Sequence, residues 1–337
     1  MEYRNLGAGG LKVSPVCLGT MTFGATTDEP TASRIVARAH EQGVNFIDTA
    51  DVYAKGRSEE IVGRAIAPER DWWVLATKLG QSTGAGPNQR GLSRRHIFRA
   101  VEASLRRLGA DVIDILYLHR EDHATPFAET VHALGDLIRA GMIRYFGVSN
   151  FRGWRVAEIC RLSDAAGIDR PLVSQPYYNA LNRMPEVEHL AACAHCGLGV
   201  VPYSPLARGV LTGKYRPDAP AAADSRAGRQ DKRMLETEWR PESLRIAQEI
   251  VAHAEKRGIT AGQFALAWVL NNRLVTAAIA GPRTEAQWED YVAALAYRFT
   301  AEDEALVDRL VPPGHPSSPG YTDPAYPIEG RVPRTGA

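Results

Sequence analysis

The chain has 337 residues, of which 45% are hydrophobic and 23% are charged, and its formal net charge is +1. Lysine and arginine are spread along the sequence, so no basic surface for nucleic acid or an anionic membrane is indicated. No run approaches 18 apolar residues and the start MEYRNLGAGG lacks a signal-peptide pattern. These features predict a cytoplasmic protein with a small-molecule partner, and they leave its oligomeric state open.

A small β-hairpin over residues 2–13 is the first predicted element. It contains the glycine-rich stretch LGAGGLK, which resembles a dinucleotide-binding fingerprint. Lys12 stands where that fingerprint has its third glycine, and no convincing strand precedes the stretch. A hairpin is therefore the better interpretation.

Eight short apolar runs follow the hairpin, with an amphipathic helix between most of them. The predicted strands are 16–20, 45–50, 72–78, 113–119, 143–149, 172–177, 198–204 and 275–281. This alternation is typical of βα units and a parallel sheet. Eight such units favour an α/β fold in which one (β/α)8 TIM barrel spans residues 1–337, with 1–14 as a hairpin cap.

The intervening helices have recognisable start and stop signals. We predict helices over 31–42, 93–108, 126–142 and 154–166. Ser93 precedes one helix and Gly109 follows it, while Gly141 and Gly167 stand where C-terminal glycines belong.

Two segments depart from the βα pattern. An insertion separates the seventh and eighth strands, and its polar part, residues 207–240, is predicted as a loop on the active face of the barrel, before two helices. The tail, residues 312–337, is rich in proline and glycine and is predicted to be loop or partly disordered.

Four cysteines are too few for a disulfide framework in a chain of this length. Cys193 and Cys196 form a C-x-x-C at the end of an amphipathic helix. With no second cysteine pair and no βαβ redox context, they are predicted to be buried small residues and not a metal or redox site.

Polar side chains stand at the ends of three neighbouring strands. Asp48, Lys78 and His119 end the second, third and fourth strands, and Tyr53 follows the second. Taken singly, each has a structural explanation, such as a turn cap, a rim aromatic or a core histidine. Because the carboxyl ends of barrel strands converge, we expect the four to meet at one mouth.

Together these four residue types have a chemistry. A buried lysine ammonium stabilises a phenolate and lowers a tyrosine pKa from about 10, while an aspartate keeps the lysine charged. A neutral histidine can donate to a carbonyl oxygen. Such a set protonates a developing alkoxide; Asp51, nearby, is left as a loop residue without a role.

The sequence resembles the aldo-keto reductases over nearly its whole length. The first family signature is similar to GVNFIDTADVYAKGRSEEIVGRAI, and ATKLG and DILYLHR complete a catalytic tetrad of Asp48, Tyr53, Lys78 and His119. The resemblance implies reversible hydride transfer between a nicotinamide and an aldehyde or ketone, without a metal. Tyr53 would be the proton donor, and His119 would orient the carbonyl.

The resemblance also implies a nicotinamide cofactor site along the strand ends. Ser149, Asn150 and Gln175 would hold the carboxamide, and Tyr203 would stack on the ring. The implied cofactor-binding residues are Gly19, Thr20, Met21, Ser149, Asn150, Gln175, Tyr203, Ser204, Pro205, Leu206, Arg208, Gly209, Lys214, Gly281, Pro282, Arg283, Gln287 and Asp290. Many family members carry Asn after the last acid, where this chain has Tyr291, so the resemblance does not extend to the adenine amino contact.

The turn GPRT predicts NADPH as the cofactor. The Arg283 guanidinium can hold a 2′-phosphate bidentately, whereas a free 2′-hydroxyl is usually met by an acid, and no acid precedes Glu285 in this turn. The alternative is that Arg283 is solvated or pairs with Glu285 or Glu289.

Two other functions compete with carbonyl reduction. A barrel metallohydrolase needs ligands such as paired histidines on the first strand, and VCLGT has none. A nucleotide-binding regulatory subunit, as in channel-associated relatives, is not excluded by the sequence. The substrate is not readable, although Phe23, the loop 80–91, the insertion and the tail are expected to shape its pocket.

Overall fold

The computed structural model of the protein describes residues 1–328. Its strands are β1 Arg4–Asn5, β2 Lys12–Val13, β3 Val16–Gly19, β4 Phe46–Asp48, β5 Val74–Leu79, β6 Ile113–Leu118, β7 Ile143–Ser149, β8 Val173–Gln175, β9 Gly199–Val200 and β10 Ala278–Ala280. Its α-helices are α1 Glu29–Glu41, α2 Arg57–Ile66, α3 Arg94–Leu108, α4 Phe127–Arg139, α5 Gly153–Ala165, α6 His189–Cys196, α7 Lys232–Thr237, α8 Pro241–Lys256, α9 Ala261–Asn271, α10 Glu285–Ala293 and α11 Ala301–Leu310.

Eight parallel strands form the barrel, in the order β10-β3-β4-β5-β6-β7-β8-β9. Backbone hydrogen bonds also join the two ends of this order, β10 and β9. Thr276 N donates to Val200 O (2.8 Å), and Ile279 N donates to Pro202 O (3.0 Å). The sheet thus closes on itself, and the predicted (β/α)8 barrel is confirmed.

The hairpin closes the amino-terminal end of this barrel. β1 and β2 pair antiparallel, and Leu6 and Val13 are buried in the same apolar cluster as barrel residues Cys17 and Phe46. Gly7 has φ +58°, and a Cβ there would lie 2.6 Å from Gly197 O. Only glycine allows the turn to approach the barrel so closely, and the predicted cap is confirmed.

Local signals set most helix boundaries. α3 begins after Ser93, whose side chain accepts from His96 N, and it ends at Gly109 with φ +60°. α1 begins two residues before the predicted start because Asp28 accepts from Thr31 N and caps it. β9 is much shorter than the predicted strand 198–204, since Pro202 has no N–H to give to a neighbouring strand.

The insertion contains more structure than the predicted loop. Residues Ala207–Thr212 form 3-10 turns, and α7, which was not predicted, begins after Asp231, whose side chain accepts from Met234 N and caps the helix. α8 and α9 are the two predicted helices. Among residues 1–328, none of the helices combines the length and apolarity that crossing a bilayer requires.

The tail has no regular element between 312 and 328, as predicted, but it is packed and not loose. Ser317 N donates to Leu181 O (2.9 Å), and Arg183 N donates to His315 O (3.0 Å). These bonds fasten the tail beside the loop after β8. The rest of the predicted tail, 329–337, lies outside the described residues.

Candidate active site

Lys78 is the centre of the predicted tetrad. It lies near the end of β5 with its side chain 0% exposed. Its Nζ donates to Asp48 Oδ1, to Thr49 O (2.8 Å) and to Tyr53 Oη (3.2 Å). The strand ends therefore bring three members of the tetrad into one hydrogen-bonded group.

The Lys78 amine is charged. Burial is the largest single effect and opposes the charge, but Asp48 and Tyr53 together outweigh it and raise the pKa of Lys78. Three acceptors also match the three N–H donors of an ammonium. Asp48 Oδ2 accepts from Gln175 Nε2 (2.9 Å), which holds the carboxylate in place from across the barrel.

Tyr53 does not have the pKa that the sequence predicted. Burial raises the pKa of Tyr53 above its usual value, and the lowering effect of Lys78 is smaller. The predicted net lowering is therefore wrong. Tyr53 is held as a protonated phenol at neutral pH, and Lys78 stays within reach to stabilise a phenolate once the proton leaves.

His119 stands edge-on to Tyr53, with ring centroids 6.0 Å apart and an interplanar angle of 82°. Burial lowers the pKa of His119 well below its usual value, and the Lys78 and Arg120 charges lower it further, so the ring is neutral. Its buried Nδ1 has no hydrogen-bond partner among the described residues. Because buried N–H groups without a partner are rarer than buried acceptors without one, we assign the proton of the neutral ring to Nε2.

The tetrad stands on the wall of a cavity of about 620 Å³. Asp48, Tyr53 and His119 line it, whereas Lys78 lies behind them. Every predicted cofactor residue lines the cavity except Pro282, which is buried in its turn. Phe23 is fully buried and does not line the cavity.

The residues predicted to hold the nicotinamide form a network among themselves. Asn150 Nδ2 donates to His119 O (2.9 Å), and Tyr203 Oη donates to Asn150 Oδ1 (2.8 Å). Tyr203 also stacks on Tyr177 at 5.5 Å. Asn150 and Ser204 both have φ +58°, a strained conformation for these residues that is typical of ligand sites. Their roles toward a cofactor stay predictions.

Arg208 is committed to protein partners that the sequence analysis missed. Its Nη1 donates to Thr237 Oγ1 (2.9 Å) and pairs with the fully buried Glu238, which also accepts from Tyr177 Oη (2.8 Å). A single glutamate in a polar insertion has no local signal that marks it as buried. The pairing neutralises Arg208, so its predicted pyrophosphate contact stays a prediction.

The far end of the cavity is basic. Lys214, Arg226 and Arg283 line it, and burial with the two arginine charges lowers the pKa of Lys214. Arg283 Nη1 donates only to a backbone carbonyl, Asp224 O (3.3 Å). Among residues 1–328, neither Lys214 nor Arg283 has a carboxylate partner.

The alternative pairing of Arg283 is wrong. Glu285 pairs with Arg34 (2.7 Å), and Glu289 pairs with Arg38 (2.6 Å), both on the outer surface. Gln287 and Asp290, the predicted cofactor residues that follow Arg283, contact other parts of the protein. Gln287 Oε1 accepts from Arg283 N (2.8 Å), and Asp290 accepts from Gln263 Nε2 (2.7 Å).

Further residues line the cavity that were not predicted to do so. Those not predicted individually are Thr22, Gln81, Arg120, Thr212, Arg226, Arg233, Ile279, Tyr291 and Ala325. From the tail, Tyr326 also lines the cavity, whereas Tyr321 packs against the Arg240 guanidinium at 3.9 Å. Arg233 pairs with Asp323 (2.7 Å) and so ties the tail to α7.

Asp51 is buried beside the tetrad, although the sequence indicated a loop residue without a role. Neither of its carboxylate oxygens has a hydrogen-bond partner among the described residues. Burial and the nearby Glu59 charge raise the pKa of Asp51 to about 7. Glu59 itself accepts from Thr77 Oγ1 and Arg107 Nε, each at 2.6 Å.

The predicted cysteine pair ends α6. Cys193 is buried and Cys196 is partly exposed, and both are free thiols. In the described part of the chain, no three His, Cys, Asp or Glu side chains gather as a metal site requires.

The chain is similar to known proteins over nearly its whole length. The model of the aldo/keto reductase family matches residues 15–312. The chain is 39% identical over 302 residues to a probable voltage-gated potassium channel subunit beta of Arabidopsis thaliana, covering 88% of this chain and 91% of that protein. It is 37% identical over 339 residues to the uncharacterized oxidoreductase YrpG of Bacillus subtilis, covering 97% of this chain and 99% of that protein. It is 35% identical over 349 residues to the aldo-keto reductase dtxS3 of Metarhizium robertsii, covering 93% of this chain and 92% of that protein.

Proposed function

The chain belongs to the aldo/keto reductase family, and from this premise we propose that it is an NADPH-dependent oxidoreductase that reduces an aldehyde or ketone to an alcohol. The observation that carries the proposal is the Lys78 ammonium, bonded at once to Asp48 and to Tyr53 on the cavity wall. A buried ion pair fastened to a phenol is suited to moving one proton.

Tyr53 and His119 act on the carbonyl oxygen. When bound, a reduced nicotinamide supplies the hydride that the carbonyl carbon accepts. The Tyr53 phenol gives its proton to the oxygen as negative charge develops there, and Lys78 stabilises the phenolate that remains. His119, neutral and protonated at Nε2, donates to the same oxygen and orients it. In the reverse direction Tyr53 takes the proton back.

The cavity residues fit a dinucleotide with an additional phosphate. Lys214 and Arg283 have no carboxylate partner among residues 1–328, so their charges are available to an anion. Arg226 adds a third cation, although it also pairs with Asp231 (3.0 Å). This excess of positive charge favours a 2′-phosphate over a free 2′-hydroxyl.

The direct test is NADPH consumption by the purified protein with a panel of aldehydes, ketones and sugars. We expect turnover of at least the simple aldehydes, with slower turnover when NADH replaces NADPH. A protein that accelerates no carbonyl reduction with either cofactor would contradict the proposal.

A second candidate function is suggested by the Arabidopsis relative, which is named as a probable potassium channel subunit beta. Under this alternative the chain binds the nucleotide as a regulatory subunit and turns over weakly or not at all. Tight NADPH binding without any carbonyl turnover would favour it over the reductase.

A further inference from the structure

Arg120 is a cavity residue that neither the tetrad nor the cofactor site uses. It directly follows His119 in the chain and lines the cavity together with Gln81 and Tyr326. Its charge acts on both neighbouring rings, since it lowers the pKa of His119 and opposes the rise that burial causes in the pKa of Tyr326. Arg120 is exposed to solvent and lies on the part of the cavity wall that includes His119 and Tyr326.

Most cavity arginines already have a carboxylate partner. Arg208 pairs with Glu238, Arg226 with Asp231, and Arg233 with Asp323. Arg283 and Arg120 have none among residues 1–328. Arg283 lies at the basic far end, where the proposed cofactor phosphate would balance it, so Arg120 is left as the unbalanced cation at the catalytic end.

The acids nearest to Arg120 in sequence are committed elsewhere. Glu121 is buried and accepts from Arg152 N (2.8 Å) and Arg152 Nη1 (3.1 Å). Asp122 accepts from Leu92 N (2.7 Å) and Thr125 Oγ1 (2.6 Å). Neither carboxylate is directed at Arg120, and the Lys78 charge is already balanced by Asp48.

We propose that the substrate is an anionic carbonyl compound, whose carboxylate or phosphate is held by Arg120 while its carbonyl lies at Tyr53 and His119. This inference rests on the proposed function and names the substrate class for the same site. An unbalanced guanidinium at a cavity wall attracts an anion, and charge-assisted hydrogen bonds are stronger than neutral ones. Arg120 is thus a specificity-determining residue.

The test uses two pairs of aldehydes that share a carbonyl scaffold, with an anionic group on one member of each pair only. One pair is 4-carboxybenzaldehyde and its methyl ester, and the other is glyceraldehyde 3-phosphate and glyceraldehyde. With wild type and NADPH, kcat/KM should favour the anionic member, and the preference should fall as ionic strength rises. The pair with the larger preference tells a carboxylate site from a phosphate site.

For each pair we compare kcat/KM for the anionic aldehyde with kcat/KM for the neutral one. Arg120→Gln should lower this ratio by about 10- to 100-fold, mainly by raising KM for the anionic aldehyde. Arg120→Lys should restore part of the ratio, because it keeps the charge but not the bidentate geometry. Arg144→Gln is the matched control, since Arg144 is exposed near the start of β7, at the other end of the barrel, and should leave the ratio unchanged.

Two outcomes would overturn the inference and leave the proposed function standing. One is turnover of the neutral aldehydes with no charge preference in the wild type. The other is an equal loss for both members of a pair in Arg120→Gln with a shifted pH profile, which would show that Arg120 only holds His119 neutral. If the purified protein turned over none of the four aldehydes, the proposed function would be overturned, and this inference with it.

Discussion

At the scale of single residues, the candidate chemistry depends on two buried groups with opposite behaviour. Lys78 is charged because Asp48 stabilises its ammonium, whereas Tyr53 stays protonated because burial outweighs the lysine. A proton donor must hold its proton until charge develops on the acceptor. The raised pKa keeps the proton on Tyr53 at neutral pH, and Lys78 must stabilise the phenolate for the proton to be transferred.

Tyr53→Phe should reduce kcat by at least ~100-fold and leave the affinity for NADPH near the wild-type value, because the phenol acts only in the chemical step. Steady-state kinetics and a fluorescence titration of the cofactor measure the two effects. A variant that keeps more than about a tenth of wild-type kcat would contradict the assignment of Tyr53 as proton donor.

Lys78→Met provides the coupled control, since Lys78 acts through the Tyr53 hydroxyl at 3.2 Å. The double variant Tyr53→Phe with Lys78→Met should be little slower than either single variant. Losses that add in full would show that the two residues act independently.

Asp51 should make the protein less stable as the pH rises. Its pKa is about 7 in the folded chain and 3.8 for the unperturbed group, so the folded state binds more protons between those values. The protonated Asp51 side chain therefore stabilises the folded state. This stabilisation is fully present below pH 3.8 and is lost as the pH rises through about 7. Asp51→Asn, which resembles the protonated acid, should therefore gain about 2 to 3 kcal/mol relative to wild type between about pH 5 and pH 8.

Urea unfolding of both proteins at several pH values measures this difference. Asp71→Asn is the matched control, because it makes the same substitution at an exposed position. A difference between Asp51→Asn and wild type that is constant with pH would show that Asp51 is ionised throughout.

At the scale of elements, the insertion and the tail form one side of the cavity. Arg233, in α7, holds Asp323 with bonds of 2.7 and 2.9 Å, and the tail then places Tyr326 on the cavity. Residues 315–317 are bonded to the loop after β8 and belong to the fold. Only the part beyond them can be removed as a test of the cavity.

Truncation after Gly320 should raise KM for bulky carbonyls more than for small aldehydes, because it removes Tyr326 from the wall but keeps residues 315–317, which are bonded to the loop after β8. Asp323→Asn, which weakens the pairing with Arg233, should change KM in the same direction. Asp218→Asn, an exposed position of the insertion, is the control. Circular dichroism checks that the variants are folded. Equal changes in KM for bulky and small substrates would show that the tail packs against the barrel but does not shape the substrate pocket.

At the scale of the whole molecule, the cofactor should stabilise the folded barrel, because its cavity is assembled from strand ends, insertion and tail together. A ligand at about 100 times its Kd adds about 2.7 kcal/mol to the free energy of unfolding. At equal concentration, NADPH should therefore raise Tm more than NADH.

Arg283→Ala should weaken NADPH binding by about 1 to 3 kcal/mol and leave NADH binding almost unchanged, since only the phosphate contact is lost. The Tm difference between the cofactors should then largely disappear. Arg34→Ala is the control, because it removes the outer pair with Glu285 at the start of α10 and does not line the cavity. Equal losses for both cofactors would show that Arg283 supports the turn itself.

The sequence by itself determined the barrel and grouped the residues of the predicted tetrad. Strand and helix periods are local properties, and eight βα units leave few ways to close a parallel sheet. The carboxyl ends of those strands must converge, so the sequence alone is enough to group Asp48, Lys78 and His119. Caps such as Ser93 and Gly109 were readable for the same reason, because each acts within one turn of its own helix.

Only the tertiary structure decided the state of the charges. A pKa depends on burial and on every charge nearby, which come from distant parts of the chain. For this reason the direction of the Tyr53 shift, the buried Asp51, and the pairing of Arg208 with Glu238 had no local signal. The same holds for Arg120, since a guanidinium is unbalanced only after all of its neighbours have been placed.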